Sequence, residues 1–559
     1  MKKKIVEATP NIQIGGMPGH SSAEHLLMLK TWMKFKEHRK ESGIFSVFDL
    51  SKFFDKESLL DCVSELNKIG VNNKSYRLWF KMNENTRISV KTAVGETEKA
   101  TIYDSIGQGS MGGALVSSMN IGRTVAEVDK DIESSSIRTR VKIKSAIFQD
   151  DISKYSDTLQ NARVAAEKLD VALKNKLLSV NYSKSKNLII GSKKFRADTL
   201  RELEANPIMM GGEVLEHSSK EQYLGDIIDE RGCADSITET IKKRFPALYH
   251  RCEEIAKIAE HPAMASLGES RSALKMYEAM VIPALLFNAE SWIGFNEKHE
   301  KLLQDFQDKF VRRVLQVPAS TPKAILQYDS GMITMKWRVA EKKIMFVNKL
   351  MMKGNKNLAR LAVIEEGRLS SEWRMKGGIT DEIFGFCLEL GCGYPVTGPV
   401  SKEDVKMKIR RRVKYENEMK MFDCKKVCDR VETENVLEMG EENSYMKRLP
   451  LTKSRVMFRY RARCIRGVKY NTKSSHTDLS CRLCQGPSIE NQEHLLICEG
   501  MSFERRGLDL QREQDFVIFW LRVTAKLSKL QDKRLSPGST CDAPSIPVIS
   551  IGDSADSHK

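Results

Sequence analysis

The chain has 559 residues, 41% of them hydrophobic and 30% charged, a balance that supports more than one folded core and excludes a wholly disordered protein. Its formal net charge of +17 favours a polyanionic partner and says nothing of fold. Twelve cysteines are too few for a disulfide scaffold and point to a reducing compartment, no apolar run reaches the roughly 18 residues of a membrane span, and no secretory core follows Met1-Lys2-Lys3-Lys4.

In chain order, Gln13–Ser22 is a Gly/Pro/Ser turn region. Residues 23–38 then show helical apolar spacing (Leu26, Leu27, Leu29, Trp32, Met33, Phe35), with Ser22 placed to cap the helix. Ile44–Leu50 reads as a strand ending in Asp49, followed by a helix over about 56–69. Residues 87–106 are β-like, with a turn at Gly95. Four glycines between Gly107 and Gly113 precede a helix near 114–125; glycines permit close backbone approach to a ligand, but the Lys-Ser/Thr ending of a P-loop is absent. A strand over 141–147 runs into Asp150-Asp151, and apolar residues resume at Ile152. The pattern is a β-hairpin with two carboxylates at its tip. A helix over 158–176, a strand–loop–strand over 178–191 and a further hairpin around 209–225 follow.

From about 235 to 353 the pattern is long helices, broken near Pro262 and Pro283, and 355–450 is helical and more charged. Lys406–Tyr415 is basic with apolar interleaving, equally a solvated helix face or a nucleic-acid contact. In 453–470, Arg455, Arg459, Arg461 and Arg463 stand among Phe458, Tyr460 and Tyr470, as in surfaces that meet phosphate and stack bases. Cys481-x2-Cys484-x9-His494-x3-Cys498 offers four soft ligands and fits one tetrahedral, structural Zn²⁺. Cys424-x3-Cys428 lacks a nearby histidine and reads as ordinary packing. The Ser-, Pro- and Asp-containing tail from Ser536 reads as disordered.

The paired aspartates organise the rest. At about 4 Å and an effective dielectric near 20, two unit charges repel by roughly 4 kcal/mol. A divalent metal is the natural counter-charge. If the strand ending at Asp49 neighbours the hairpin of Asp150 and Asp151, three carboxylates converge. Such a set suits two Mg²⁺ ions and in-line phosphoryl transfer.

These segments, in this order, resemble the palm of a reverse transcriptase from a LINE-type, non-LTR retrotransposon. Phe45–Asp55 resembles that family's first catalytic motif. Gly107-Gln108-Gly109-Ser110 with Gly112–Leu115 resembles its substrate and template loop. Phe148-Gln149-Asp150-Asp151 resembles its Phe/Tyr-x-Asp-Asp box, with Gln149 where alanine is usual. Asn181-x-x-Lys184-Ser185 resembles the next motif, Tyr223-Leu224-Gly225 the primer-grip region, and the helical region with Asn288–Trp292 the thumb. The resemblance runs from Gln13 to near Leu530.

It implies an α+β fold: a right-hand polymerase palm, an antiparallel sheet with helices, followed by a helical thumb and a mainly helical C-terminal region with a small zinc-binding module. The expected domains are a palm with partial fingers over 1–230, thumb over 235–353, charged helical connector over 354–450, basic segment and CCHC zinc module over 451–500, C-terminal helix over 501–535 and tail over 536–559. It implies RNA-directed DNA synthesis, with Asp49, Asp150 and Asp151 as catalytic magnesium ligands. Leu50, Phe54, Gln108, Gly109 and Lys184 are the implied nucleotide contacts, with Phe54 excluding a ribose 2′-OH and Lys184 as general acid for pyrophosphate. The implied partners are an RNA template, a DNA primer and dNTPs, with no membrane, and the implied location is intracellular, in the nucleus.

Gln13–Ser22 resembles a motif that lies well inside the family's domain, so the chain reads as an N-terminally truncated copy lacking the triphosphate-gripping fingers motif and an endonuclease. Ancestry and activity are therefore separate expectations. The alternative is a non-catalytic nucleic-acid-binding remnant or domesticated element protein. A group II intron maturase is a third, weaker reading, and the His-x3-Cys spacing argues against it.

Overall fold

The computed structural model describes residues 1–71, 74–103, 106, 112–137, 141–261, 271–373, 375–427, 445–465, 468 and 479–532. They fall into two compact units. One comprises Met1–Ile255, Lys275–Phe310 and Met332–Glu416; the other takes Ala256–Leu274, Val311–Gly331 and the chain from Asn417 onward. Helices and strands are mixed in the first unit, and the second is mainly helical.

The first unit is built on helix α1 (Ser22–Arg39) and a four-stranded antiparallel sheet. Its strands are β1 (Ser42–Phe48), β2 (Ser145–Phe148), β3 (Asp151–Ser156) and β4 (Lys186–Gly191), in the order β4-β1-β3-β2. Alternation along β1 divides its side chains between two cores. Phe45 and Val47 join α1, Tyr155 and Tyr223 on one side. Ile44 and Phe48 join Ile152, Ile189 and helix α2 (Leu159–Lys174) on the other. Buried on both faces, β1 reads as a nearly continuous apolar run, as a central strand must.

Helix α1 crosses the first face so closely that Gly43 has no room for a side chain: a Cβ there would lie 2.6 Å from Trp32 Cζ2. The Trp32 indole, fully buried, packs edge-on to Tyr155 at 5.3 Å and donates to Ser135 Oγ. Four charged or ionisable side chains of α1 are buried as well: Glu24, His25, Lys30 and Lys36. Lys30 is paired with Asp226 at 2.6 Å, Lys36 with Asp157 at 2.8 Å and Glu24 with Lys353 at 2.6 Å. The cap is Ser21 rather than Ser22, because Ser21 and Glu24 form a reciprocal capping box.

The strand expected over 141–147 is two strands. Val141–Ile143 pairs with Ser135–Ile137, and β2 pairs with β3. Helices Lys74–Asn83 and Lys193–Ala205, not expected from apolar spacing, are also present. The segment 209–225 forms one two-stranded hairpin and the start of a second, Lys220–Tyr223 with Asp226–Asp229. In the same unit, helices Met335–Met351, Leu358–Trp373 and Ile379–Leu390 share the apolar core of α1.

The second unit packs helices Leu451–Arg461 and Glu513–Asp532 through Tyr460, Phe516 and Trp520, with ring centroids 4.9–6.3 Å apart. Among the described residues no helix is long and apolar enough to cross a membrane, and the cysteines are free. The expected tail and Cys428 lie outside the described residues, as does the Cys424 side chain.

Candidate active site and a cysteine–histidine cluster

The register of the sheet assembles the three aspartates. Phe48 of β1 pairs with Ile152 of β3, so the next residue, Asp49, continues opposite Asp151. Phe148 of β2 pairs with Asp151, which leaves Gln149 and Asp150 as a two-residue hairpin turn. Strand geometry alone thus brings Asp49 to the tip that carries Asp150 and Asp151.

The electrostatics report the same convergence. Burial, then Asp150, then Asp49 push the Asp151 carboxyl up to about 6. Asp150 is also raised, by burial and by Asp49 and against a backbone hydrogen bond. Carboxyls that suppress one another's ionisation are short of positive charge. Lys184 supplies one cation, its Nζ 4.0 Å from Asp49 Oδ2, but this lysine is 69% exposed and its pairing is weak.

Asp49 is held by its backbone. Its N–H donates to Ser185 Oγ at 3.1 Å, and its carbonyl accepts from the Asn181 N–H at 2.8 Å. The Asn181–Ser185 motif therefore wraps the end of β1 and delivers Lys184 to it. Leu50 forms a bridge to Val180, and its side chain is buried in the core, so the expected nucleotide contact is not available to that side chain. Phe54 is half-buried against the core beside Phe53, with ring centroids 5.2 Å apart. Gln108 and Gly109 lie outside the described residues.

A residue with no role assigned from the sequence borders the hairpin turn. Gln13 is 2% exposed and hydrogen-bonds the Gln149 backbone in both directions. Nothing in the Gln13–Ser22 composition signals this, since the contact joins residues 136 positions apart.

The Tyr223-Leu224-Gly225 segment meets β3 through Tyr223. The Tyr223 hydroxyl is 3.1 Å from Ser153 Oγ of β3. Its turn is held by Asn288 Nδ2 donating to the Leu224 carbonyl and Arg244 donating to the Gly225 carbonyl, both at 2.8 Å. Asp226, buried, accepts from Lys30, Arg244 and the Trp292 indole.

In the second unit, Cys481, Cys484, His494 and Cys498 offer ligand atoms that all lie within 4.8 Å of one another. Cys481 Sγ and Cys498 Sγ are 3.7 Å apart, and Cys484 Sγ is 3.4 Å from His494 Nε2. Tetrahedral zinc with bonds of about 2.0–2.3 Å separates its ligands by about 3.5–3.8 Å. The backbone builds this knuckle: Asn491 caps the short helix Gln492–Ile497 by accepting from the His494 N–H, and Arg482 and Glu490 pair across the loop. Burial pushes the Cys498 thiol up to about 12, whereas the Gly486 backbone N–H lowers Cys484.

The four arginines expected at nucleic acid are engaged within the second unit. Arg461 is buried and donates two hydrogen bonds to Asp329, at 2.9 and 3.2 Å, and Tyr445 donates to the same carboxylate. Arg455 is buried, donating to the Val314 carbonyl and to Glu260. Those two side chains are not phosphate contacts. Arg459, half-buried, donates to the Gln316 carbonyl, and Arg463 pairs with Glu493 at 2.8 Å. Alternating Arg and aromatic residues in the sequence marked helix packing with internal ion pairs.

Residues 1–228 match the family model described as reverse transcriptase (RNA-dependent DNA polymerase). A search of curated proteins finds no match. Among solved structures, telomerase from Candida albicans in complex with the TWJ fragment of telomeric RNA is similar at 9% identity, with a TM-score of 0.31. The likeness covers 65% of this chain and 57% of that one, so the chain spans less than two thirds of that relative. The part of the chain that is similar to reverse transcriptases, residues 1–228, is the part within which Asp49, Asp150 and Asp151 converge at one end of the sheet.

Proposed function

We propose that the chain is an RNA-directed DNA polymerase of the non-LTR retrotransposon type, adding deoxynucleotides to a primer 3′-OH on an RNA template. The observation that carries this reading is the register that brings Asp49 opposite Asp151, beside Asp150, in a domain matched to reverse transcriptases. Three mutually repelling carboxylates, two with raised pKa values, are the donor set a pair of Mg²⁺ ions requires. Magnesium held by Asp49, Asp150 and Asp151 would lower the pKa of the primer hydroxyl and neutralise the leaving pyrophosphate.

The protein groups then have separate tasks. The Asn181 and Ser185 hydrogen bonds fix the Asp49 backbone. Lys184, whose Nζ is 4.0 Å from Asp49, is the candidate to give a proton to pyrophosphate. Phe54, at the edge of the core, is the candidate for reading the sugar. Gln108 and Gly109 retain their proposed place along the incoming nucleotide. The helices of 235–353 serve as thumb, holding the Leu224–Gly225 turn through Asn288 and Arg244. We assign the cysteine–histidine cluster one structural Zn²⁺, on its donor set and separations. We propose a nuclear location, on the resemblance to non-LTR reverse transcriptases alone.

Primer extension by the purified chain, with an RNA template, dNTPs and Mg²⁺, tests the reading. Templated synthesis is expected, with Asp150→Ala reducing it by at least about 10³-fold, because a group that holds the reaction's charge cannot be replaced by a methyl. Full activity in Asp150→Ala would remove the site assignment. No synthesis by wild type with Mg²⁺ or Mn²⁺, together with salt-sensitive RNA binding, would favour a non-catalytic binding protein.

A further inference from the structure

We infer that Gln13 is a positioning residue for Asp150: its carboxamide clamps the hairpin turn from which Asp150 projects. The inference rests on the polymerase reading above. It starts from the backbone of Gln149, which sits at φ +60. A non-glycine residue in that region is uncommon and needs surroundings that hold it there. Gln149 is also the residue between β2 and Asp150, so its conformation sets the direction in which the carboxylate leaves the strand.

Gln13 supplies the hold. Its Oε1 accepts from the Gln149 N–H at 3.2 Å, and its Nε2 donates to the Gln149 carbonyl at 3.1 Å. Both polar groups of the left-handed residue are engaged by one planar side chain. Oε1 also accepts from the Gly15 N–H at 2.8 Å, which locks the carboxamide in the loop that carries it. That loop is anchored along the free edge of β2. Gln13 bridges Ile147 in parallel, the Ile147 N–H donates to the Ile12 carbonyl, and the Ile14 N–H donates to the Ile147 carbonyl.

The approach is too close for side chains around it. A Cβ on Gly15 would lie 2.5 Å from the Phe148 carbonyl carbon and closer still to Gln149 N. On the other side, a Cβ on Gly122 would lie 3.0 Å from Gln13 Cβ. Gln13 is thus confined between the turn and the helix Gly113–Val128, with little freedom to do anything else. A residue that only filled this space would not need donor and acceptor aimed at the carbonyl and the N–H of one residue.

The test compares wild type, Gln13→Ala, Asp150→Ala and Gln13→Ala/Gln149→Gly as full chains. Folding is checked by circular dichroism and thermal midpoint, and function by kcat, KM for dNTP and the Mg²⁺ concentration at half-maximal rate. Outer-shell groups around metal ligands contribute about 10–100-fold to affinity or activity. Gln13→Ala is expected to lower kcat and raise the Mg²⁺ requirement within that range, with KM for dNTP changed by less than about threefold. Glycine adopts φ +60 without steric cost, so Gln149→Gly should recover a large part of the loss.

A folded Gln13→Ala chain with wild-type kcat and Mg²⁺ dependence would overturn the inference and leave the polymerase reading standing. A loss that follows the thermal midpoint and is not rescued by Gln149→Gly would also overturn it. Mn²⁺ binding by electron paramagnetic resonance reads the same variants without catalysis: weaker binding in Gln13→Ala supports the clamp even if wild type makes no DNA. A wild-type chain that neither extends a primer nor binds Mn²⁺ would overturn both.

Discussion

Asp151 carries charge at a cost to the fold. Its folded pKa is raised to about 6 by burial, Asp150 and Asp49, whereas an unfolded aspartate ionises near 3.9. The folded state therefore binds the proton more tightly, and metal-free stability falls as pH rises from about 4 to about 6. Above that window the penalty is constant, on the order of 3 kcal/mol. Asp151→Asn removes it. In EDTA at pH 7.5 the variant is expected to be more stable than wild type to urea, with the difference vanishing below about pH 4, while Mg²⁺-dependent synthesis is lost. Equal stability at both pH values would show that the three carboxylates do not repel as placed. The same excess charge made the site legible in the sequence. Two adjacent carboxylates inside an apolar run require an explanation that a solvated loop does not.

At the scale of elements, what could be read depended on whether partners were local. The hairpin around Gln149-Asp150 was legible because apolar strands and a two-residue turn are a short-range pattern. So was the buried helix from Ser22 to Arg39, apart from its cap, where Glu24 selected Ser21. The helix Lys193–Ala205 was missed because it is polar, with Leu203 its one buried side chain among those described. The basic segment over 453–470 overlaps the helix Leu451–Arg461, whose arginines have partners far away in the sequence. Arg461 meets Asp329, 132 positions earlier, and no spacing rule exposes such a pair. That distinction has a measurable consequence. Arg461→Leu leaves the Asp329 carboxylate buried with only the Tyr445 hydroxyl among the partners described here. Removing one member of a buried ion pair costs about 3–5 kcal/mol. The variant is expected to lose that much stability in chemical denaturation, yet keep the slope of log K for RNA against log[salt]. A slope reduced by about 0.7, the value of one single-strand phosphate contact, with stability unchanged, would restore the arginine to the nucleic-acid surface.

At the scale of the whole chain, two compact units should respond separately to metal. The Asp49, Asp150 and Asp151 site lies in the first unit and the Cys481, Cys484, His494 and Cys498 cluster in the second. Their chemistries differ in kind. Hard carboxylates meeting solvent suit a weakly held, exchangeable magnesium, whereas thiolates around a buried point hold zinc as part of the fold. Burial pushes the Cys498 thiol up to about 12, so a metal bound there would displace its proton to solvent and contribute directly to folding. Calorimetry of the full chain should therefore show two transitions. Stripping zinc with a strong chelator, or the substitution Cys481→Ser, is expected to lower one of them by tens of degrees, because a structural site of this kind is worth on the order of 10 kcal/mol. The other should stay in place and respond instead to Asp151→Asn, which moves it upward. Elemental analysis of the untreated protein should return one zinc per chain, and Cys481→Ser should return none. If chelation shifts both transitions together, the units unfold as one body. If it shifts neither, the four ligands hold no structural metal, and the order of that segment comes from the packing of Tyr460, Phe516 and Trp520 and the Arg482–Glu490 pair alone.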